Sequence, residues 1–244
     1  MNIVNQKVEL IDHMGSDLSV VNAARVSFHK ESAWEYLPVF PTPDGTPDQH
    51  TDLRVVSEKD RKLLVYLAKH NHWSPFAHTS LQFRIKAPIF VARQLVKHQV
   101  GGVWNEVSRR YVDTEPEFYL PETWRGKPVN AKQGSSEETL YKMEGTRTGY
   151  QHIGETVRAA TEVSLNIYLD MVEAGVAPEQ ARMILPQNTM TEWIWTGSLM
   201  FFTRVCKLRL DSHAQAETRE IAQMINDLIP EEFKYSWEAL LNDS

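Results

Sequence analysis

A single cysteine, Cys206, occurs in 244 residues, so neither an intrachain disulfide nor a thiolate metal cluster can form. It lies within the apolar run FFTRVCKLRL, where a buried, inert thiol is expected rather than a nucleophile. The chain has no run of about 18 apolar residues, and its amino-terminal MNIVNQKVELIDHMG has no basic flank leading into an apolar core. Neither a membrane span nor a secretory leader is expected, and a cytoplasmic location follows as the expectation. An excess of positive charge is missing as well: 26 Lys and Arg stand against 32 Asp and Glu, a net charge of −6. That balance excludes a general polyanion-binding field and argues against duplex nucleic acid as the main partner. Internal repeats and low-complexity tracts are also lacking.

What is present suits one globular domain over residues 1–244, since a 42% hydrophobic chain of this length can bury about 70 to 75% of its unfolded surface. Two proline-, glycine- and serine-rich stretches, near 32–54 and 121–145, read as surface insertions. The segment SEKDRKLLVYLAKH opens on a Ser57-x-x-Asp60 cap and carries Leu63, Leu64 and Leu67 at helical spacing. TSLQFRIK alternates Leu81, Phe83 and Ile85 as a half-buried strand does. Pro88 suits the first turn of a helix running to Gly101 and Gly102, on which Arg93 and Lys97, and Gln94 and His98, are spaced four apart. A long amphipathic helix carries Val157 to Val172 and stops at Gly175, and Pro178 opens the helix that holds Arg182. A further helix is expected from about Thr191 to Arg209, and another through Ile221, Met224, Ile225 and Leu228 before Pro230. Few strands and several long helices predict an α+β fold, with a central, mostly antiparallel sheet flanked by helices.

Positive charge is concentrated locally in RQLVKHQVGGVWNEVSRRY. Gly101 and Gly102 permit a turn that folds NEVSRRY back toward the preceding helix, converging Gln94, Lys97, Ser108 and Arg110 on one anion. Guanidinium forks, a hydroxyl and an ammonium are what phosphate recognition requires, while charges paired at the surface are the commoner meaning of a basic cluster. In LRLDSHAQAETRE, Arg209 follows an apolar helix and Asp211 or Ser212 can cap the next. A cation so placed can stabilise a deprotonated, carbonyl-rich ring, or simply neutralise Asp211. His70, His72 and His78 have a spacing that could ligate metal, but no neighbouring carboxylate completes a tetrahedral set, and structural histidines are expected.

Five blocks in order, DLSVVNAARVSF, HWSPFAHTSLQFRIKAPIFVARQ, NEVSRRY, ARMILPQNTMTEWIWT and LRLDSHAQAE, resemble segments of the flavin-dependent thymidylate synthases. The resemblance covers nearly all the chain outside the two insertions. It implies an enzyme that makes dTMP from dUMP, with 5,10-methylenetetrahydrofolate as carbon donor and FAD reduced by NADPH as the hydride source. It also implies a homotetramer with active sites shared between subunits, and no nucleophilic cysteine, in keeping with the setting of Cys206.

By this resemblance Arg209 matches the catalytic arginine that holds the uracil ring. Gln94, Lys97, Glu106, Ser108, Arg109, Arg110 and Arg182 fall at dUMP-binding positions. Ser74, Lys97, His98, Gln99 and Glu106 fall in FAD-contacting places, with Ser27 and His72 in segments that line the flavin. Two departures stand out. Lys97 and Gln99 replace both arginines of the family's Arg-His-Arg motif, and Ser198, Leu199 and Met200 occupy the place of an Asn-x-Arg that touches FAD. Arg204, where an asparagine is usual, is then expected to contact the FAD pyrophosphate. The alternatives are a non-catalytic flavin- or nucleotide-binding relative, favoured by the altered motif, and a metal-dependent nucleotide hydrolase using His70 to His78.

Overall fold

The structure is a computed structural model that describes residues 1–36, 54–112, 114–129, 134–147, 149 and 151–242. The core of the first expected insertion, 37–53, lies outside the described residues. In chain order the elements are β1 (Asn2–Ile3), β2 (Lys7–Met14), α1 (Asp17–Arg25), β3 (Glu35–Tyr36), β4 (Arg54–Val55), α2 (Glu58–Lys69), β5 (Ser80–Pro88), α3 (Ile89–Leu95) and β6 (Gly102–Glu106). They continue with β7 (Glu117–Phe118), β8 (Trp124–Arg125), β9 (Thr139–Leu140), α4 (Ile153–Glu173), α5 (Pro178–Ala181), β10 (Met190–Gly197), α6 (Leu199–Arg209), α7 (Ala216–Asp227) and α8 (Lys234–Asn242). The α+β architecture is the one expected.

Two compact units divide the chain: Met1–Ile11, Phe83–Thr196 and Val205–Asp227 form the first, and Asp12–Gln82, Gly197–Arg204 and Leu228–Ser244 the second. The first carries most of a four-stranded sheet in the order β2-β5-β10-β6. Phe83, Ile85 and Ala87 of β5 and Trp193 and Trp195 of β10 are buried on alternate positions, the two-residue period of a strand with one face on the core. Val91 and Leu95 of α3, Val205 and Cys206 of α6 and Ile221 and Ile225 of α7 complete that core. The second insertion contributes the antiparallel pair β8–β9.

In the second unit, α1, α2 and α8 pack around Val20, Val21, Leu64, Leu67, Trp237 and Leu240. Ser57 caps α2 as expected: its hydroxyl accepts from Asp60 N at 3.1 Å. Asp17 caps α8 from across the unit, accepting from Tyr235 N at 3.0 Å and Ser236 N at 2.8 Å. Burial pushes the Asp17 carboxyl up to about 6, against those bonds. The string His70-Asn71-His72 is a helix-ending device, with Asn71 in the left-handed region (φ 54°) and His72 N donating to Leu67 O at 2.9 Å.

Two expected elements differ, and one unexpected helix is present. Residues 191–197 are strand rather than helix, with Thr191, Trp193, Trp195 and Gly197 buried in alternation, and α6 starts only after Ser198, whose Oγ accepts from Phe201 N at 3.2 Å. The helix after Pro88 ends at Leu95, so Lys97 and His98 stand in the following turn, not on a helical face with Arg93 and Gln94. The chain must turn there to begin β6 beside β10, and Gly101 (φ 86°) makes the turn. Finally, α8 follows Pro230 where no helix is expected.

Candidate active site

Arg209 is the last residue of α6 and is half-buried. Its Nε donates to His98 Nε2 at 3.0 Å and its Nη2 to Gln94 O at 3.1 Å, the carbonyl being one that the short α3 leaves without an intrahelical partner. Burial pushes the Arg209 pKa down from its ordinary value, yet a guanidinium stays charged over the working range of an enzyme. Two neutral acceptors on one edge therefore fix the plane of a cation that no carboxylate neutralises in these bonds. Asp211 pairs instead with His213, accepting from its N at 2.7 Å and lying 2.9 Å from its Nδ1. Neither Asp211 nor Ser212 caps α7 as expected. Gln215 precedes that helix, and its carbonyl accepts from Arg219 N at 2.9 Å.

Gln94, on the last turn of α3, faces α7. Its Nε2 donates to Gln215 Oε1, and its Oε1 accepts from Thr218 Oγ1 at 3.3 Å. Gln215 Nε2 donates to Glu217 Oε2 at 2.9 Å, and Arg125 Nη2 donates to Glu217 Oε1 at 2.5 Å. Burial raises the Glu217 carboxyl, but the bonds from Arg125 and Gln215 outweigh it and hold the group below the usual carboxylate range. Gln6 closes the network, donating to Glu217 O at 3.1 Å and Glu220 Oε2 at 2.7 Å.

Glu106, at the end of β6, accepts from Thr191 Oγ1 at 2.6 Å and from Trp104 Nε1 at 3.1 Å. Trp104 in turn stacks on Trp193 with ring centroids 4.2 Å apart and planes at 17°, so the neighbouring strands β6 and β10 carry the carboxylate on an aromatic base. Glu106 is itself exposed, and Ser108 and Arg109 are half-buried. Lys97, Gln99, Arg110 and Arg182 are exposed. Ser108 Oγ accepts from Arg110 Nε at 3.3 Å, Arg109 Nη1 donates to Thr114 O at 2.7 Å, and Arg182 Nε donates to Glu179 O at 3.2 Å. Within one chain, no hydrogen bond or ion pair among the described residues joins Ser108 or Arg110 to Gln94 or Lys97, so the expected convergence on one anion is not made by direct contact.

Ser27, His72, Ser74 and Arg204 all belong to the second unit, and all four are exposed. Ser74 heads the 3-10 turn Pro75–His78 and caps nothing with its side chain. His70 and His72 rest near Tyr66, at ring-centroid distances of 4.4 and 6.0 Å. Among the described residues no group of three or more His, Cys, Asp or Glu side chains is arranged to hold a metal ion. Cys206 is fully buried, and burial pushes its thiol up to about 12, the inert setting expected of it.

Sequence reasoning missed Thr191, Gln215, Glu217, Thr218 and Arg125. Gln215 and Glu217 stood in the quoted LRLDSHAQAE block, but nothing local ties Glu217 to Arg125, 92 residues earlier. Beside this ion pair a cavity of about 590 Å³ in the first unit is lined by Phe90, Tyr119, Trp124 and Asn188. It shares Gln215 and Glu217 with the Gln94 network but is not lined by Arg209.

The sequence matches the family described as "Thymidylate synthase complementing protein" (Thy1) over residues 9–233. It is 34% identical to the flavin-dependent thymidylate synthase of Thermosipho africanus and 36% to that of Thermotoga neapolitana, in each case over 96% of this chain and 90% of the relative. Among solved structures, the UMP/dUMP methylase PolB from Streptomyces cacaoi, bound with 5-Br dUMP, is similar with a TM-score of 0.72 and 26% identity over 98% of this chain and 96% of that one. The α+β fold is therefore shared with a nucleotide methylase. The chain belongs to the Thy1 family of enzymes, the flavin-dependent thymidylate synthases.

Proposed function

We propose that this enzyme methylates dUMP to dTMP, taking the carbon from 5,10-methylenetetrahydrofolate and releasing tetrahydrofolate, with FAD as cofactor and NADPH as reductant. The observation that carries the reading is the Arg209 fork: a partly desolvated cation locked by His98 and the Gln94 carbonyl, free of any carboxylate in those bonds. Such a group stabilises negative charge as it develops on a uracil ring and needs no reorganisation to do so. Gln94 keeps one amide hydrogen and one lone pair for the nucleotide, and Glu106 accepts from a hydroxyl or ring N–H. Ser108, Arg110, Lys97 and Arg182 supply hydroxyl, guanidinium and ammonium donors for the phosphate, with Arg109 behind them.

The second unit's exposed groups fit FAD by their chemistry. Ser74 offers an uncommitted hydroxyl, Ser27 lies beside the exposed Phe28, and His72 beside the exposed Trp73. With Arg204 they form a donor set suited to a pyrophosphate and a flat ring. When bound and reduced, FAD would supply the reducing equivalent that turns the transferred carbon into a methyl group. His98, Lys97 and Gln99 are assigned to the same cofactor.

The exposure of Lys97, Arg110 and Arg182 supports a homotetramer in which a second copy completes each site. The decisive experiment is an anaerobic assay of dTMP formation with dUMP, methylenetetrahydrofolate and NADPH, alongside the visible spectrum of the protein after incubation with FAD and desalting. A retained flavin band with dTMP formed is the expected result. A retained band without product points to the non-catalytic relative, and no flavin with chelator-sensitive dUMP hydrolysis points to the metal enzyme.

A further inference from the structure

We propose that Glu217, held by Arg125 from the second insertion, is a positioning residue that sets which face of the Gln94 carboxamide is presented to the nucleotide. The inference rests on the dUMP-binding role proposed for Gln94. An amide side chain can point either way, and only its partners decide which end faces where. Here the decision begins at a carboxylate. Ionised, Glu217 can only accept, so Gln215 must turn its Nε2 toward Glu217 Oε2. That leaves Gln215 Oε1 as the group facing Gln94, so Gln94 must offer its Nε2 and turn Oε1 toward Thr218 Oγ1. One charge thereby orders two amides in series, and the polarity of the second is transmitted from the first.

The setting makes the relay rigid. Glu217 is 6% and Thr218 0% exposed, so neither can exchange its partner for bulk water at little cost. Arg125 is itself tied down by Nε, which donates to Ser135 Oγ at 2.9 Å. A neutral amide at 217 removes the constraint: it can donate to Gln215 Oε1, which turns Gln215 Nε2 toward Gln94 and reverses the Gln94 carboxamide. Arg209 is held by the main-chain carbonyl of Gln94 and by His98, so the reversal leaves the catalytic cation where it was.

The test is steady-state kinetics and dUMP calorimetry on the FAD-loaded enzyme. Glu217→Gln is expected to raise KM and Kd for dUMP about tenfold, the effect of one misdirected hydrogen bond, while kcat at saturating dUMP stays within about threefold. A general packing defect would instead lower kcat, flavin retention and melting temperature together. Unchanged dUMP affinity in E217Q, in a wild type that does form dTMP, overturns the relay and leaves the proposed function standing; a wild type that neither binds dUMP nor forms dTMP overturns both. Should E217Q fail to fold, Gln215→Met decides: it cuts the series between Glu217 and Gln94 and is expected to weaken dUMP binding about tenfold with kcat within about threefold, and an affinity equal to that of wild type refutes the proposal.

Discussion

Replacing Arg209 by lysine keeps the positive charge and removes the fork. The guanidinium makes two directed bonds, 3.0 Å to His98 Nε2 and 3.1 Å to Gln94 O, from separate nitrogens held in one plane. A lysine ammonium, on a stem of different length, can satisfy one of these acceptors. A hydrogen bond from a charged donor is worth about 1.5 to 3 kcal/mol, and because Arg209 is only half-buried the lower part of that range applies. Loss of about 1.5 to 2 kcal/mol of transition-state stabilisation lowers kcat/KM roughly 10- to 30-fold. If the fork orients the cation for the reacting ring, the loss falls mainly in kcat. Stopped-flow or steady-state measurement of dTMP formation under anaerobic conditions reads this directly, with the flavin spectrum and melting temperature as folding controls. An R209K enzyme within threefold of wild type, with both controls native, would show that charge alone suffices at this position and that the two bonds Arg209 donates to His98 and Gln94 have no catalytic consequence.

Three further outcomes follow from the same geometry. Thr79 Oγ1 donates to Phe76 O at 2.8 Å and accepts from Leu199 N, the first amide of α6, at 3.1 Å. Thr79→Val leaves both groups buried and unpaired, so it should destabilise by about 2 kcal/mol and lower Tm by about 4 to 8 °C, with Thr79→Ser restoring most of it. Asp17 binds its proton more tightly folded than unfolded, so its contribution is fully present at low pH and is lost as pH rises through about 6. Urea titrations should show wild type losing roughly 1 to 2 kcal/mol relative to Asp17→Asn between about pH 5 and about pH 7.5; parallel curves refute the assignment. Cys206→Ala should retain dTMP formation within about threefold, and native protein should resist iodoacetamide at neutral pH, whereas abolished turnover in a folded variant would restore a thiol to the chemistry.

Legibility of the fold in the sequence followed how local each determinant was. The Ser57 cap and the alternation of Leu81, Phe83 and Ile85 are satisfied within a few residues, and both elements form where the pattern puts them. The stretch TEWIWTGSLMFFTRV is apolar in both periods, and what divides strand from helix is packing: a Cβ on Gly197 would stand 2.3 Å from the Phe201 ring. That contact is invisible to a hydrophobic count. The stop after Leu95 is likewise imposed by the need to start β6 beside β10, and α8 depends on a cap from Asp17, more than two hundred residues earlier. At the candidate site the same rule held. Arg209, Gln94 and Glu106 were expected from residue type within blocks, while the hydrogen-bond networks around Gln94 and Glu106 draw Glu217, Arg125 and Thr191 from distant segments.

The first unit carries two kinds of cation, and their surroundings suit them to different tasks. Arg209 is fixed by neutral acceptors and partly withdrawn from water, so its field is strong and its direction set before any ligand arrives. Lys97, Arg110 and Arg182 are exposed, screened by salt, and bonded at most to nearby groups. Such side chains suit a phosphate, whose charge is spread over several oxygens and tolerates varied geometry; they do not suit a ring atom that must be met at one angle. On the phosphate-binding role proposed for Lys97, the same division accounts for a lysine where the family carries an arginine: a point charge can replace a fork where only attraction is needed. In the role proposed for Arg209 both edges of the guanidinium plane are used, one for the protein and one for the nucleotide, and no residue but arginine provides both.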